Sequence, residues 1–207
     1  LFVEKKINKD EEILNLINNF LLDKNSFIFE SVEKGTIKGR YTIFGKKPDR
    51  IWEFNNDKSY KIEANKKILI KGKPKKIMEK MLENFKFKTP KNLPPICSLI
   101  SGYFSYDTIR YLEKIPNSCK NDLNIPDVRL LRPTVLIIHD NLKKKIFYIV
   151  NVFKDEKIKN YLIKYNSIKN EIRSLITQSK REIENNTRQN QNQKISVKSN
   201  TTRKQFI

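Results

Sequence analysis

The sequence predicts an α+β fold in which antiparallel strands form a curved, sandwich-like sheet with helices outside it, followed by a long helix and a polar linker. Three observations carry this. Between residues 26 and 71, short β-rich runs recur about every eight to ten residues with turn residues between them. Residues 127–153 read as one long hairpin. Apolar residues at helical spacing mark residues 74–85 and 155–183.

The elements follow in order. Residues 1–6 read as a strand. Asn8 with Glu11 three positions later makes a capping-box-like helix start, and Ile13, Leu14, Ile17, Phe20 and Leu21 follow at helical spacing. Residues 26–32 are β-rich, and Lys34-Gly35 supplies a turn. Four further strands are predicted at 40–44, 51–54, 59–63 and 67–71, punctuated by Gly45, Pro48-Asp49, Asn55-Asn56-Asp57 and Asn65. Pro74 suits the first turn of a helix whose apolar stripe is Ile77, Met78, Met81, Leu82 and Phe85. After a proline-rich loop at 89–95, residues 96–104 read as a buried strand and residues 106–112 as a short helix ending before Pro116. In the hairpin, residues 135–138 run up, Asp140-Asn141 turn, and residues 146–152 return. Residues 155–183 form a lysine-rich helix with Ile158, Leu162, Tyr165, Ile168, Ile172, Leu175 and Ile176 on one stripe. Residues 185–202 hold almost nothing apolar and read as a linker. The expected organisation is a domain over 1–153, a connecting helix over 154–184, a flexible linker over 185–198, and the start of another domain at 199–207.

The formal charge of +20 needs discounting before it is interpreted. The chain holds 34 Lys, 28 Ile and 23 Asn but a single alanine, 5 Gly and only 9 Arg. Lys, Ile and Asn share AT-rich codons, so a biased genome produces this composition in almost any protein. The lysines are spread along the chain, and the arginine forks that grip phosphate and guanine are scarce. Nucleic-acid binding is therefore the rival class, resting on charge alone. No run approaches the roughly 18 apolar residues of a spanning helix, so no membrane association is expected. Cys97 and Cys119 fit neither a disulfide framework nor a zinc cluster. No signal or transit peptide is recognisable, and a cytoplasmic protein is expected. Leu1 is not an initiator methionine and residues 201–207 open a pattern that stops inside itself, so the chain reads as part of something longer.

Few residues suggest chemistry. Glu30-Ser31 puts a carboxylate and a hydroxyl at a strand end: either a polar strand end, or part of a pocket for an amine or an indole N–H. Arg40, in the stretch Gly39-Arg40-Tyr41-Thr42-Ile43-Phe44-Gly45, is an exposed charge or a ligand contact. Gly102, inside an apolar strand, marks close backbone approach, and the tyrosines around it read as packing. Arg110 faces Asp107 across one helix turn. His139 reads as a surface residue beside a turn, with no Ser, Cys or Asp arrangement to serve. No Gly-rich phosphate loop, HExxH or GxSxG pattern occurs. The chain holds no self-sufficient catalytic site.

Taken together, several motifs resemble one family. Phe29-Glu30-Ser31-Val32, the stretch from Gly39 to Gly45 and Pro48-Asp49 are similar to the "LLESV…GRYSFIG…P" segment of anthranilate synthase component I. Gly102-Tyr103-Phe104-Ser105-Tyr106-Asp107-Thr108-Ile109-Arg110 resembles its "GYFGYD-x-x-R" segment, with Ser105 in place of the second glycine. Glu113-Lys114-Ile115-Pro116, Ile125-Pro126-Asp127 and Arg132-Pro133-Thr134 continue in order, and residues 199–206 resemble the opening of the chorismate-binding catalytic domain. The resemblance implies a lyase that converts chorismate and ammonia to anthranilate and pyruvate in tryptophan biosynthesis. It implies Mg²⁺, a glutamine amidotransferase partner (component II) in a hetero-oligomer, and feedback inhibition by tryptophan. It assigns Glu30, Ser31 and, less directly, Arg40 to the tryptophan pocket, and puts the catalytic and Mg²⁺-binding residues in the catalytic domain, so that this stretch alone is inactive. Aminodeoxychorismate synthase component I shares most of these motifs and is the alternative; Glu30 and the Ile-Pro-Asp…Arg-Pro-Thr stretch favour anthranilate synthase.

Overall fold

Two long strands organise the structure. The computed structural model describes residues 1–7, 13, 15–16, 20, 23–30, 39–85, 88–116, 123–180, 198–199, 201–202 and 204. Strand β1 is Phe2–Lys6, β2 Phe27–Phe29, β3 Tyr41–Asn55, β4 Lys58–Glu63 and β5 Lys66–Ile70; helix α1 is Pro74–Asn84. Strand β6 is Ser101–Phe104, a 3-10 helix spans Tyr106–Tyr111, β7 is Val128–Asp140, β8 is Lys145–Val150 and helix α2 is Tyr161–Lys180. The strands form one antiparallel sheet in the order β1-β8-β7-β3-β4-β5, with β2 added to β3 and β6 to β7. Strands β3 and β7 pair along almost their whole lengths, Tyr41 opposite Asp140 and Phe54 opposite Val128. The early part of β3 lies between β2 and β7; its later part lies between β7 and β4.

The two strands expected at 40–44 and 51–54 are therefore one. Pro48 stands opposite Pro133, and the register shifts between Pro48 and Arg50. Facing each other across the ladder, the two prolines strand no main-chain N–H, since neither has one, and the bulge absorbs Asp49 without ending the strand. Four other expectations change. Only Ser101–Phe104 of the region 96–104 is strand, and three of those four residues are exposed. The short helix at 106–111 has 3-10 geometry. Helix α2 begins at Tyr161, where the Asn160 side chain accepts from the N–H groups of Leu162 and Ile163, an N-cap that the apolar stripe did not reveal. His139 is buried: it sits inside β7 between Thr42 and Ile146, well within the sheet. Most of the expected first helix, the Lys34-Gly35 turn, Cys119 and most of the expected linker lie outside the described residues, although Ile13 and Phe20 are helical.

Strand alternation then assigns the cores. Phe44, Ile137, Ile146 and Tyr148 point to one face with Leu16 and Phe20, and α2 covers them with Ile168, Ile172 and Leu175. Burial of each such side chain contributes about 1.5–3 kcal/mol. Tyr148 Oη and Ser179 Oγ share a buried hydrogen bond of 2.8 Å, which fastens the end of α2 to β8. The first turns of α2 stay outside this core, with Leu162 69% exposed. Leu136, Ile138, Phe147 and Ile149 point to the other face, over Cys97, Phe27 and Ile96. Beyond the bulge, Trp52, Phe54, Val128 and Leu130 meet Met81 and Ile77 of α1.

Gly102 behaves as its place in the sequence implies. A Cβ there would lie 1.9 Å from the Arg129 carbonyl oxygen, a main-chain atom that cannot step aside. Gly102→Ala is expected to detach β6 from β7 and to cost about 1–3 kcal/mol, the usual range for forced overpacking. Equilibrium denaturation measures this directly, and an unchanged midpoint would contradict the close approach.

Candidate functional site

Of the residues singled out from sequence, Glu30 follows the end of β2 and Arg40 precedes the start of β3, at the same end of the β2–β3 ladder. Strand β2 is seated by its side chain as well as its backbone: the Phe27 ring lies over Gly45, where any Cβ would come within 2.2 Å of it. Phe29 pairs with Ile43, three residues from Arg40. Glu30, the first residue after β2, is exposed and makes no ion pair or hydrogen bond among the described residues. Ser31 lies outside the described residues.

Arg40 is held differently. Its Nε donates to Asp140 Oδ1 at 3.1 Å and its Nη2 to Oδ2 at 2.7 Å, a bidentate pair that joins the start of β3 to the end of β7. Asp140 also accepts from the N–H groups of Leu142 and Lys143, which shapes the hairpin turn. Burial opposes the Asp140 charge, but the Arg40 hydrogen bond and the two main-chain donors outweigh it and hold its pKa below the ordinary 3.8. The Arg40 pKa is raised, chiefly by the bond to Asp140. Two of the three guanidinium nitrogens are thus committed within the protein. Glu30, by contrast, offers a carboxylate open to an ammonium or N–H donor.

A second polar cluster surrounds the bulge. Arg132 is buried, and its Nε donates to Asp49 Oδ1 at 2.9 Å while its Nη2 bonds Asp49 Oδ2 and lies 3.0 Å from Asp155 Oδ1. Its guanidinium stacks 3.9 Å from the centre of the Phe153 ring. Arg50 also pairs with Asp155, and at 3.4 Å with Glu63. For Arg132, burial disfavours the charge, but the hydrogen bonds to Asp49 and Asp155 raise its pKa overall. An open cleft of about 650 Å³, lined in part by Asp49, Arg50, Glu63 and Asp155, adjoins the cluster. Sequence reasoning missed this arrangement. Its only trace is the pair of dipeptides Pro48-Asp49 and Arg132-Pro133, whose opposition becomes visible once the register is known.

Elsewhere, the Gly102–Arg110 stretch is structural. Arg110 pairs with Asp107 at 2.8 Å and donates to the carbonyls of Ile115 and Pro116. Tyr111 donates to Asp127 at 2.7 Å; burial first, then that bond, raises its pKa well above the ordinary range for a phenol. Tyr106 is 92% exposed, outside the packing expected for the tyrosines. Among the described residues no group of three or more His, Cys, Asp or Glu side chains is placed to hold a metal ion, and no helix is long and apolar enough to cross a membrane. The arginines of both clusters are paired with carboxylates of the chain itself.

Comparison with known proteins bears on this directly. Residues 25–207 match the family described as chorismate binding enzyme. Anthranilate synthase component 1 of Acetivibrio thermocellus is 32% identical over 154 residues, covering 74% of this chain and 31% of its own length. That of Cereibacter sphaeroides is 32% identical over 129 residues, covering 59% of this chain and 25% of its own. The crystal structure of anthranilate synthase component I from Streptococcus pneumoniae TIGR4 superposes with a TM-score of 0.51 at 22% identity, covering 69% of this chain and 32% of that one, which supports a shared fold. The chain spans between a quarter and a third of the length of these two relatives.

Proposed function

Because the chain belongs to the family of chorismate-binding enzymes, we propose that it is the N-terminal regulatory and scaffold part of anthranilate synthase component I. On this reading the complete enzyme is a cytoplasmic lyase that converts chorismate and ammonia to anthranilate and pyruvate, and tryptophan inhibits it. On the same reading residues 1–153 are the N-terminal domain, 154–184 the connecting segment that contains helix α2, 185–198 a linker and 199–207 the opening of the catalytic domain. The observation that carries the reading is the colinear run of motifs from Phe29 to Thr134, in a chain whose relatives are anthranilate synthase components at 32% identity. Glu30, open to solvent beside a strand seated on Gly45, supports a role as the ammonium contact of the inhibitor. Ser31 is its hydroxyl partner, and Arg40 frames the same end of the sheet through Asp140. The described residues do not fit Mg²⁺; on this reading the ion and the acid and base groups belong to the rest of the enzyme. A glutamine amidotransferase subunit supplies ammonia within a hetero-oligomer.

Fluorescence of the product provides the test. The complete enzyme, given chorismate, ammonium and Mg²⁺, is expected to release anthranilate with turnover suppressed by tryptophan, whereas the 207-residue chain alone yields none. Turnover by the chain alone would overturn the assignment. Formation of aminodeoxychorismate in place of anthranilate would move it to the sister enzyme.

A further inference from the structure

Lysines occur in every segment of the chain, but they are densest in one stretch of the sequence and so on one part of the fold. Residues 58–91, covering β4, β5 and α1, hold twelve lysines against three carboxylates and no arginine. Among the described residues these lysines form two ion pairs, Lys67 with Glu53 and Lys61 with Glu63. Lys66, Lys71, Lys73, Lys75, Lys76 and Lys80 are exposed and make no ion pair among the described residues. This basic lobe carries the outermost strand of the sheet. Strand β5 bonds to β4 on one side and, among the described residues, to nothing on the other. Its central residues are apolar and exposed, Ile68 at 46% and Leu69 at 56%, and they point to opposite faces.

We propose that β5 is a docking edge for an extended, acidic segment of a partner protein, which adds to the sheet as its next strand. An open edge offers a row of main-chain donors and acceptors that only another extended chain satisfies in register. Ile68 and Leu69 give alternate side chains of that segment one apolar contact on each face. The uncommitted lysines around the strand select carboxylates and steer them to the edge. A second copy of this chain brings the same lysines to the same edge and is repelled. A nucleic acid uses neither the main-chain row nor the two apolar side chains.

The probe is a dye-labelled peptide of about eight residues with alternating Glu and Val, titrated into the 207-residue chain at about 150 mM salt and followed by anisotropy. Binding is expected. Methylation of alternate peptide amides should abolish it in one register and spare it in the other, because only one set of amides faces the edge. The exposed-site variant K66E/K71E/K73E should bind at least about tenfold more weakly with an unchanged circular dichroism spectrum. Equal affinity for both methylated peptides would reduce the effect to charge attraction and overturn the proposal. Absence of binding would overturn it too, leaving the lysines as guards against edge-to-edge aggregation. So would tighter binding of duplex DNA that displaces the peptide. The methylated peptides leave the protein untouched, so this arm stands even if the variant does not fold.

Discussion

Replacing Arg132 with methionine is expected to destabilise the domain by about 2–4 kcal/mol. The guanidinium side chain is only 7% exposed and joins two carboxylates from distant parts of the sequence, Asp49 in the β3 bulge and Asp155 after β8. Removing one member of a buried pair leaves its partner without compensation, a cost of about 3–5 kcal/mol when both are fully buried. Asp49 and Asp155 keep 29% and 38% of their side-chain surface in water, and partial rehydration brings the figure down. For a domain of this size the midpoint should fall by about 5–15 °C. Arg132→Lys should rescue little, because an ammonium cannot span both carboxylates or stack on Phe153. The contrasting pair is Lys47–Glu171, whose lysine is 52% exposed; Lys47→Ala should cost below about 1 kcal/mol. Comparable losses for the two variants would show that the bulge cluster is an ordinary surface contact.

The bulge cluster and the Arg40–Asp140 pair both contribute to the response to acid. Burial works against the charged forms of Asp155 and Asp140, yet the hydrogen bonds from Arg132 and from Arg40 hold both pKa values below the ordinary 3.8. The unfolded chain therefore binds protons more readily than the folded one. The stability these groups contribute is complete above pH 3.8, and is lost as pH falls through their depressed folded values. Wild type should lose stability on acidification below about pH 4, and Arg132→Met should lose less across that range, since its Asp155 shift has already relaxed.

Much of the architecture is legible in the sequence because it rests on local signals. Alternating β-branched runs, Pro74 at a helix start and the long apolar hairpin each state their structure within a window of about ten residues. What was not legible depends on pairing. The Pro48-Asp49 dipeptide carries the chemistry of a turn and reads as one; the strand continues through it as a bulge, paired with β7 on both sides. His139 beside an Asp-Asn turn reads as surface, and is buried because β3 and β8 flank it. Arg132 reads as part of a motif, whereas its partners lie 83 and 23 residues away. Residues 155–160 share the helical stripe in part yet stay irregular, since Asp155 is held by the arginines and Asn160 caps the helix behind it. At the candidate site, motif resemblance pointed to Glu30 and Arg40. The geometry separates them: one carboxylate is open, and one guanidinium is largely engaged.

That separation makes Ser31 the sharper probe of the inhibitor pocket, because an Arg40 variant would disturb the Asp140 turn as well as any ligand. In the complete enzyme, Ser31→Ala is expected to weaken tryptophan inhibition, since a lost ligand-binding hydroxyl strands a polar group at a cost of about 1–3 kcal/mol. At about 1.4 kcal/mol per decade, that is roughly a tenfold to hundredfold rise in the inhibition constant. Ser31→Phe should do more, by filling the space. Glu30→Gln should act in the same direction, because a charge-assisted bond to the inhibitor's ammonium is roughly twice as strong as the neutral one that replaces it. On the proposed reading tryptophan works through coupling between two sites, so the chorismate KM and turnover without inhibitor should scarcely move. That split separates a pocket residue from a structural one: a variant that merely loosens β2 lowers thermal stability and basal turnover together. A stable Ser31→Phe enzyme as sensitive to tryptophan as its parent would remove Ser31 from the pocket. Glu30 would then stand as a polar residue closing an edge strand, and the inhibitor would have to be sought elsewhere on the enzyme.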